Sequence, residues 1–216
     1  HELIKTISFT EKSPLAVLFF SDQASDLSGD EALYVTCETG VIKGTLEGVF
    51  ERGYFNAGTK AGEFSGLADV KTSQSAGSSS QKTPRLFLLD SLNKKVIALD
   101  SFESSPTVAW KNTQAILPAG LTNDESHVYV TDALRHRVLV LNAQTGKLLS
   151  TLGRKGTSDG TLYQPRGIEI QGEQLYVADA GNGRIEIFNI PGYAAAKIET
   201  ASPFEVYGLL ALCLVW

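Results

Sequence analysis

A fixed spacing constrains this chain more than any other feature. Pro118, Gly120, Tyr129, Val130, Asp132, Arg137 and Asn142 each stand 47 positions before Pro165, Gly167, Tyr176, Val177, Asp179, Arg184 and Asn189, with no insertion between the copies. In the later copy, short apolar runs at 167–170, 175–178 and 184–188 are separated by Gly, Asn, Asp and Gln, the punctuation of hairpins. A second spacing ties the stretches between units together. Gly48, Gly58, Thr59, Gly62 and Phe64 lie 98 positions before Gly146, Gly156, Thr157, Gly160 and Leu162. Units of this length, each carrying several strands, are the mark of a β-propeller. The expectation is an all-β fold of four-stranded antiparallel blades.

Four blade-like units are recognisable, at about 14–57, 58–110, 117–152 and 164–200. The chain is therefore read as one propeller domain, or part of one, spanning 1–216. A ring of four, five or six blades and an incomplete ring all remain compatible with it. Residues 2–9 alternate polar and apolar side chains, as an outer strand does. The run 14–20 is apolar throughout and suits an inner strand buried on both faces. Residues 71–84 form a Ser-rich insertion expected to be flexible. The apolar tail 204–216 falls short of the roughly 20 residues a membrane-spanning helix needs, so a further blade strand is favoured over membrane contact there.

Within the units, the order Gly160, Leu162, Pro165, Gly167, Ile168, then 175–179 (Leu-Tyr-Val-Ala-Asp), then Asn182, Arg184, Ile185 and Phe188 resembles the NHL repeat. The stretch 117–142 is similar, with His136 and Arg137 at the turn and the return. This resemblance implies a propeller of antiparallel blades, six in most relatives, that serves mostly as a binding platform. Lyases and RNA binders occur among the relatives. Their implied alternatives are a metal-dependent lyase or lactonase with its site in the central channel, and an RNA-binding propeller.

Composition weighs on those alternatives. The 216 residues carry a net charge of −5, which disfavours a general nucleic-acid binder, because phosphate neutralisation needs a basic face. The only histidines are His1, His127 and His136, too scattered to reproduce a lyase metal centre. Asp69 and Glu169, read as equivalent inner-strand places, are the only candidates for the carboxylates that a channel metal would need. No Ser/His/Asp order, HExxH motif or phosphate-binding loop is present. No cofactor and no metal centre is expected, and the weight falls against an enzyme.

Cys37 and Cys213 show no ligand or disulfide spacing. The absence of a glycosylation sequon and of a leader inclines the reading to a non-secreted setting, though the compartment itself is not specified. The start at His1 and the lack of methionine suggest a processed or partial product.

Two sets of residues remain. The pairs Asp90 and Lys95, Asp132 and Arg137, and Asp179 and Arg184 share a separation of five and recur in every clear unit, which suits a structural pin across each hairpin. Propeller topology places Arg135, His136, Arg154, Lys155, Tyr163 and Arg166 on one face. Such a face, rich in Arg and Tyr on rigidly held loops, suits docking of other proteins and of acidic surfaces in particular. The expected role is a non-enzymatic scaffold or interaction propeller, a subunit or domain of a larger assembly.

Overall fold

A computed structural model describes residues 14–20, 32–45, 49–60, 62–73, 85–100 and 107–190. Strands β1 (Pro14–Phe20), β2 (Ala32–Cys37), β3 (Gly40–Gly44) and β4 (Phe50–Phe55) form the first sheet in sequence order. The second contains β5 (Leu67–Thr72), β6 (Leu86–Asp90), β7 (Lys95–Asp100) and β8 (Thr107–Asn112). The third contains β9 (Pro118–Asn123), β10 (His127–Asp132), β11 (Arg137–Asn142) and β12 (Leu148–Leu152). The fourth shows three strands, β13 (Ile168–Gln171), β14 (Gln174–Asp179) and β15 (Arg184–Asn189). Every pairing within the sheets is antiparallel. Among the described residues there is no α-helix, and no helix long and apolar enough to cross a membrane.

The first strands of successive sheets, β1, β5, β9 and β13, lie side by side, so the sheets stack face to face around them as blades. The middle strands are covered on both faces, which is why β6 reads Leu-Phe-Leu-Leu-Asp with every residue buried rather than alternating. Tyr34, Val41, Leu67, Leu88 and Ile97 fill the space between the first two sheets. Phe87, Val96, Trp110, Leu121 and Leu139 fill the next. Tyr129, Val138, Leu162, Ile168 and Val177 fill the third. Each such side chain is worth about 1.5–3 kcal/mol on burial, so the interfaces between blades dominate the stability of the stack.

One boundary differs from the sequence reading. Lys71 and Thr72 are the last residues of β5 rather than the start of the Ser-rich insertion, since Lys71 pairs with Phe87 and Thr72 with Leu86 on the ladder. Residues 74–84 of that insertion, residues 2–9, the part of the fourth unit after residue 190 and the tail 204–216 lie outside the described residues.

Candidate functional site

The recurring acid–base pairs face each other directly across the second hairpin of the last three blades: Asp90 opposite Lys95, Asp132 opposite Arg137, and Asp179 opposite Arg184. All three carboxylates are fully buried. Each accepts hydrogen bonds from backbone N–H groups of the connector that enters its own blade. Asp90 accepts from Ser65 and Gly66, Asp132 from Ile116 and Leu117, and Asp179 from Tyr163. The cations complete the clamp from the other side. Lys95 Nζ donates to the carbonyls of Thr59, Lys60 and Glu63. Arg184 donates to those of Thr157, Ser158 and Thr161, which are the same positions 98 residues later. Burial lowers the Lys95 pKa, and the Asp90 carboxylate 3.7 Å away opposes that shift.

Arg137 is the exception. Its Nε lies 3.8 Å from Asp132 Oδ2, and it is buried without a hydrogen-bond partner. The connector before β9 runs only from Asn112 to Pro118 and offers no matching set of carbonyls.

These clamps hold the loops on which the six proposed face residues sit. Three of the six touch. The His136 ring stacks on Tyr163, with centroids 5.0 Å apart and planes 15° from parallel. Lys155 Nζ stands 5.6 Å from the Tyr163 ring centroid. His136 adopts a left-handed backbone (φ 56°), as do Lys94 (54°) and Gly183 (65°) at the corresponding position of neighbouring blades. That turn aims its Nδ1 at the Gln164 N–H, which donates to it at 3.0 Å and so fixes the proton on Nε2 in the neutral ring.

Tyr163 also rests on Gly181. A β-carbon at 181 would lie 2.3 Å from Tyr163 Cδ1, so only glycine fits, and the Gly181 N–H donates to the Tyr163 carbonyl at 2.7 Å. Gln164 and Gly181 were not singled out by sequence reasoning, and only their place beside Tyr163 reveals them.

The three arginines are held on the same loops. Arg135 is exposed and its guanidinium donates to the Gln114 carbonyl at 3.2 Å. Arg154 and Arg166 are exposed on the connector; their backbones are tied to Leu162, and to Ala178 and Thr131, respectively. The arrangement offers a partly exposed aromatic stack with the Lys155 ammonium beside it. Aromatic faces attract cations and stack on planar groups, while guanidinium and ammonium groups favour carboxylates.

A second polar cluster lies where the inner strands meet. Glu169 accepts from Lys71 Nζ at 2.7 Å and from Thr122 Oγ1 at 3.0 Å. These partners are 98 and 47 residues away, so the register puts Lys71, Thr122 and Glu169 in one layer. This corrects the pairing of Asp69 with Glu169 as corresponding positions. Asp69 stands two residues before Lys71 on β5 and accepts from the Val70 and Leu121 N–H groups. Burial raises its pKa to about 6, against the opposing pull of Lys71. Among the described residues no three His, Cys, Asp or Glu side chains gather as metal ligands. His127 is held instead by Asp124, 3.2 Å away.

No protein family and no curated protein matches the chain. Solved structures do. The computationally designed Ika4 protein aligns over 88% of this chain and 99% of its own, with a TM-score of 0.55 and 11% identity. BBS1N, solved in complex with ARL6DN, aligns over 87% of this chain and 55% of its own, with a TM-score of 0.58 and 14% identity. Kluyvelomyces marxianus Hsv2 aligns over 83% and 49%, with a TM-score of 0.50 and 12% identity. The chain thus spans about half the length of BBS1N and Hsv2. At these identities the likeness concerns the fold alone. BBS1N and Hsv2 are propeller-type proteins, and the described residues of this chain form a β-propeller-type stack of antiparallel blades.

Proposed function

We propose that this chain is a non-enzymatic interaction propeller of NHL-like sequence, which docks an acidic segment of another protein on the face built around Tyr163. The observation that carries this reading is the stack of His136 on Tyr163 with Lys155 above the ring, on connectors clamped by buried carboxylates. A rigid aromatic with few rotamers costs little to order on binding, and Tyr and Arg supply much of the energy at interfaces. Arg135, Arg154 and Arg166 then act as charge contacts at the rim, where they steer association more than they add affinity. The likeness to BBS1N, whose structure includes a protein partner, fits a platform of this kind. The polar layer of Lys71, Thr122 and Glu169 points the same way, because the Glu169 carboxylate is already committed to an ammonium group.

Co-purification from source material tests the reading. The unaltered chain is compared with a variant carrying Arg135→Glu, Arg154→Glu and Arg166→Glu, and with Tyr163→Ala, each checked by thermal melting. Loss of the same partners in both variants, with melts that still show a folded chain, is expected. Undiminished partners in both would refute it.

A further inference from the structure

The second and third blades cover the next with the same three positions, and in the fourth blade two of those positions are exposed. In the third blade they are Tyr129, Val138 and Val140, exposed by 1%, 0% and 7%, and they pack against Leu162 and Ile168 of the unit that follows. In the second blade they are Phe87, Val96 and Ala98, at 0%, 2% and 0%, packed against Leu121 and Ala115. Forty-seven positions after the third-blade set stand Tyr176, Ile185 and Ile187. Tyr176 pairs directly with Ile187 and Ala178 with Ile185, so they share one sheet face, yet Ile185 is 60% and Ile187 52% exposed. Two β-branched residues side by side at that exposure suit a covered face rather than a solvated one.

What covers the earlier faces is also repeated. An apolar connector residue comes first: Phe64 after the first blade, Ala115 after the second, Leu162 after the third, all buried. The inner strand of the next blade follows. The interval from the end of the third strand to the next inner strand is 23 residues (Gly44 to Leu67), 18 (Asp100 to Pro118) and 26 (Asn142 to Ile168). Counted from Asn189, those intervals reach Tyr207 to Val215, inside the apolar run that ends at Trp216. The 47-residue step carries Leu162 onto Leu209 and Ile168 onto Val215, both apolar.

We propose that residues 206–216 dock on the face of Tyr176, Ile185 and Ile187 as the connector plug of a fifth blade and the start of its inner strand, with Leu209 in the place of Leu162. This is independent of the docking face around Tyr163.

Hydrogen exchange read by mass spectrometry on the full chain tests it, with light scattering to fix the oligomeric state. In the monomer, amides of 206–216 are expected to exchange at least tenfold more slowly than in an unstructured peptide of that sequence. The double variant Ile185→Asp, Ile187→Asp is expected to abolish that protection while β9 to β12 keep theirs. Should the double variant lose protection throughout, Leu209→Asp decides, since it alters none of the described sheets: the tail must open and the sheets must not. Tail exchange at the unstructured rate in the unaltered monomer would overturn the proposal. So would protection that vanishes on dilution to the monomer, which would assign the face to a second copy, and so would a tail unmoved by either variant.

Discussion

Replacing Arg184 should cost far more than replacing Arg137, although the two occupy the same position in successive repeats. Arg184 donates from its two terminal nitrogens to three backbone carbonyls at 2.8, 2.8 and 3.0 Å, and from Nε to Asp179 at 3.0 Å. Arg184→Met keeps the length of the stem and removes all four bonds. It leaves the buried Asp179 with only the Tyr163 N–H and the Asn182 amide as donors. Stranding one partner of a buried pair costs about 3–5 kcal/mol. The Arg184 side chain is 27% exposed, so water recovers part of that and about 3 kcal/mol is expected. Arg137→Met removes a contact of 3.8 Å and a buried Nε that has no acceptor, while Asp132 keeps the Ile116, Leu117 and Arg135 N–H groups. Relief of the unpaired donor offsets the lost attraction, and about 1 kcal/mol is expected. Urea unfolding of both variants measures the difference, with equal slopes showing that the same surface is exposed in each. Hydrogen exchange of residues 153–163 should rise in Arg184→Met. Equal costs for the two variants would refute the reasoning, because the clamp would then be the charge pair alone and the connector carbonyls would add nothing.

Asp69 makes a pH prediction. Its folded pKa of about 6 exceeds the ordinary 3.8, so the folded state holds the proton more tightly and the Asp69 contribution to stability falls as pH rises from about 4 to about 6. Above that window the penalty is constant at up to about 3 kcal/mol, from the two-unit shift at 1.36 kcal/mol per unit. Asp69→Asn should therefore gain on the unaltered chain between pH 4 and pH 8 in paired urea titrations; parallel curves would count against it. Gly146 has φ 66°, and a β-carbon there would lie 2.4 Å from Trp110 Cε3. Gly146→Ala should cost about 2 kcal/mol or more and shift the Trp110 fluorescence; an unchanged spectrum and midpoint would show that the turn gives way freely.

The blade plan was legible because burial on both faces forces each middle strand to be apolar and each hairpin to carry the same punctuation. The 47 and 98 spacings even contain the polar layer, since Thr122 and Lys71 meet Glu169 at those separations. The pairing of Asp69 with Glu169 missed the 98 spacing by two residues, which keeps the sheet face but places Asp69 one layer away from Glu169. From Lys71 to Thr122 the step is 51 rather than 47, because the long β5–β6 loop outweighs the short connector before β9. The contact of His136 with Tyr163 was not legible at all, because it joins a hairpin tip to a connector 27 positions on. Nor does sequence distinguish Gly181, which Tyr163 requires, from Gly183, which the left-handed turn favours.

The residues that repeat and those that do not have different work. Asp90, Asp132 and Asp179 spend their acceptor capacity on connector N–H groups, and Lys95 and Arg184 spend their donors on connector carbonyls. A side chain committed in this way is costly to divert to a ligand, since the buried group it leaves behind loses its partner. Specificity must then come from positions where one blade departs from its neighbours while the backbone stays the same. The position of His136 is such a place: Lys94, His136 and Gly183 share one left-handed conformation, and only the histidine stacks on an exposed tyrosine. Replacing Tyr163 should therefore weaken docking with little loss of stability, whereas replacing Asp179 should do the reverse. That contrast separates what the fold needs from what a partner could recognise.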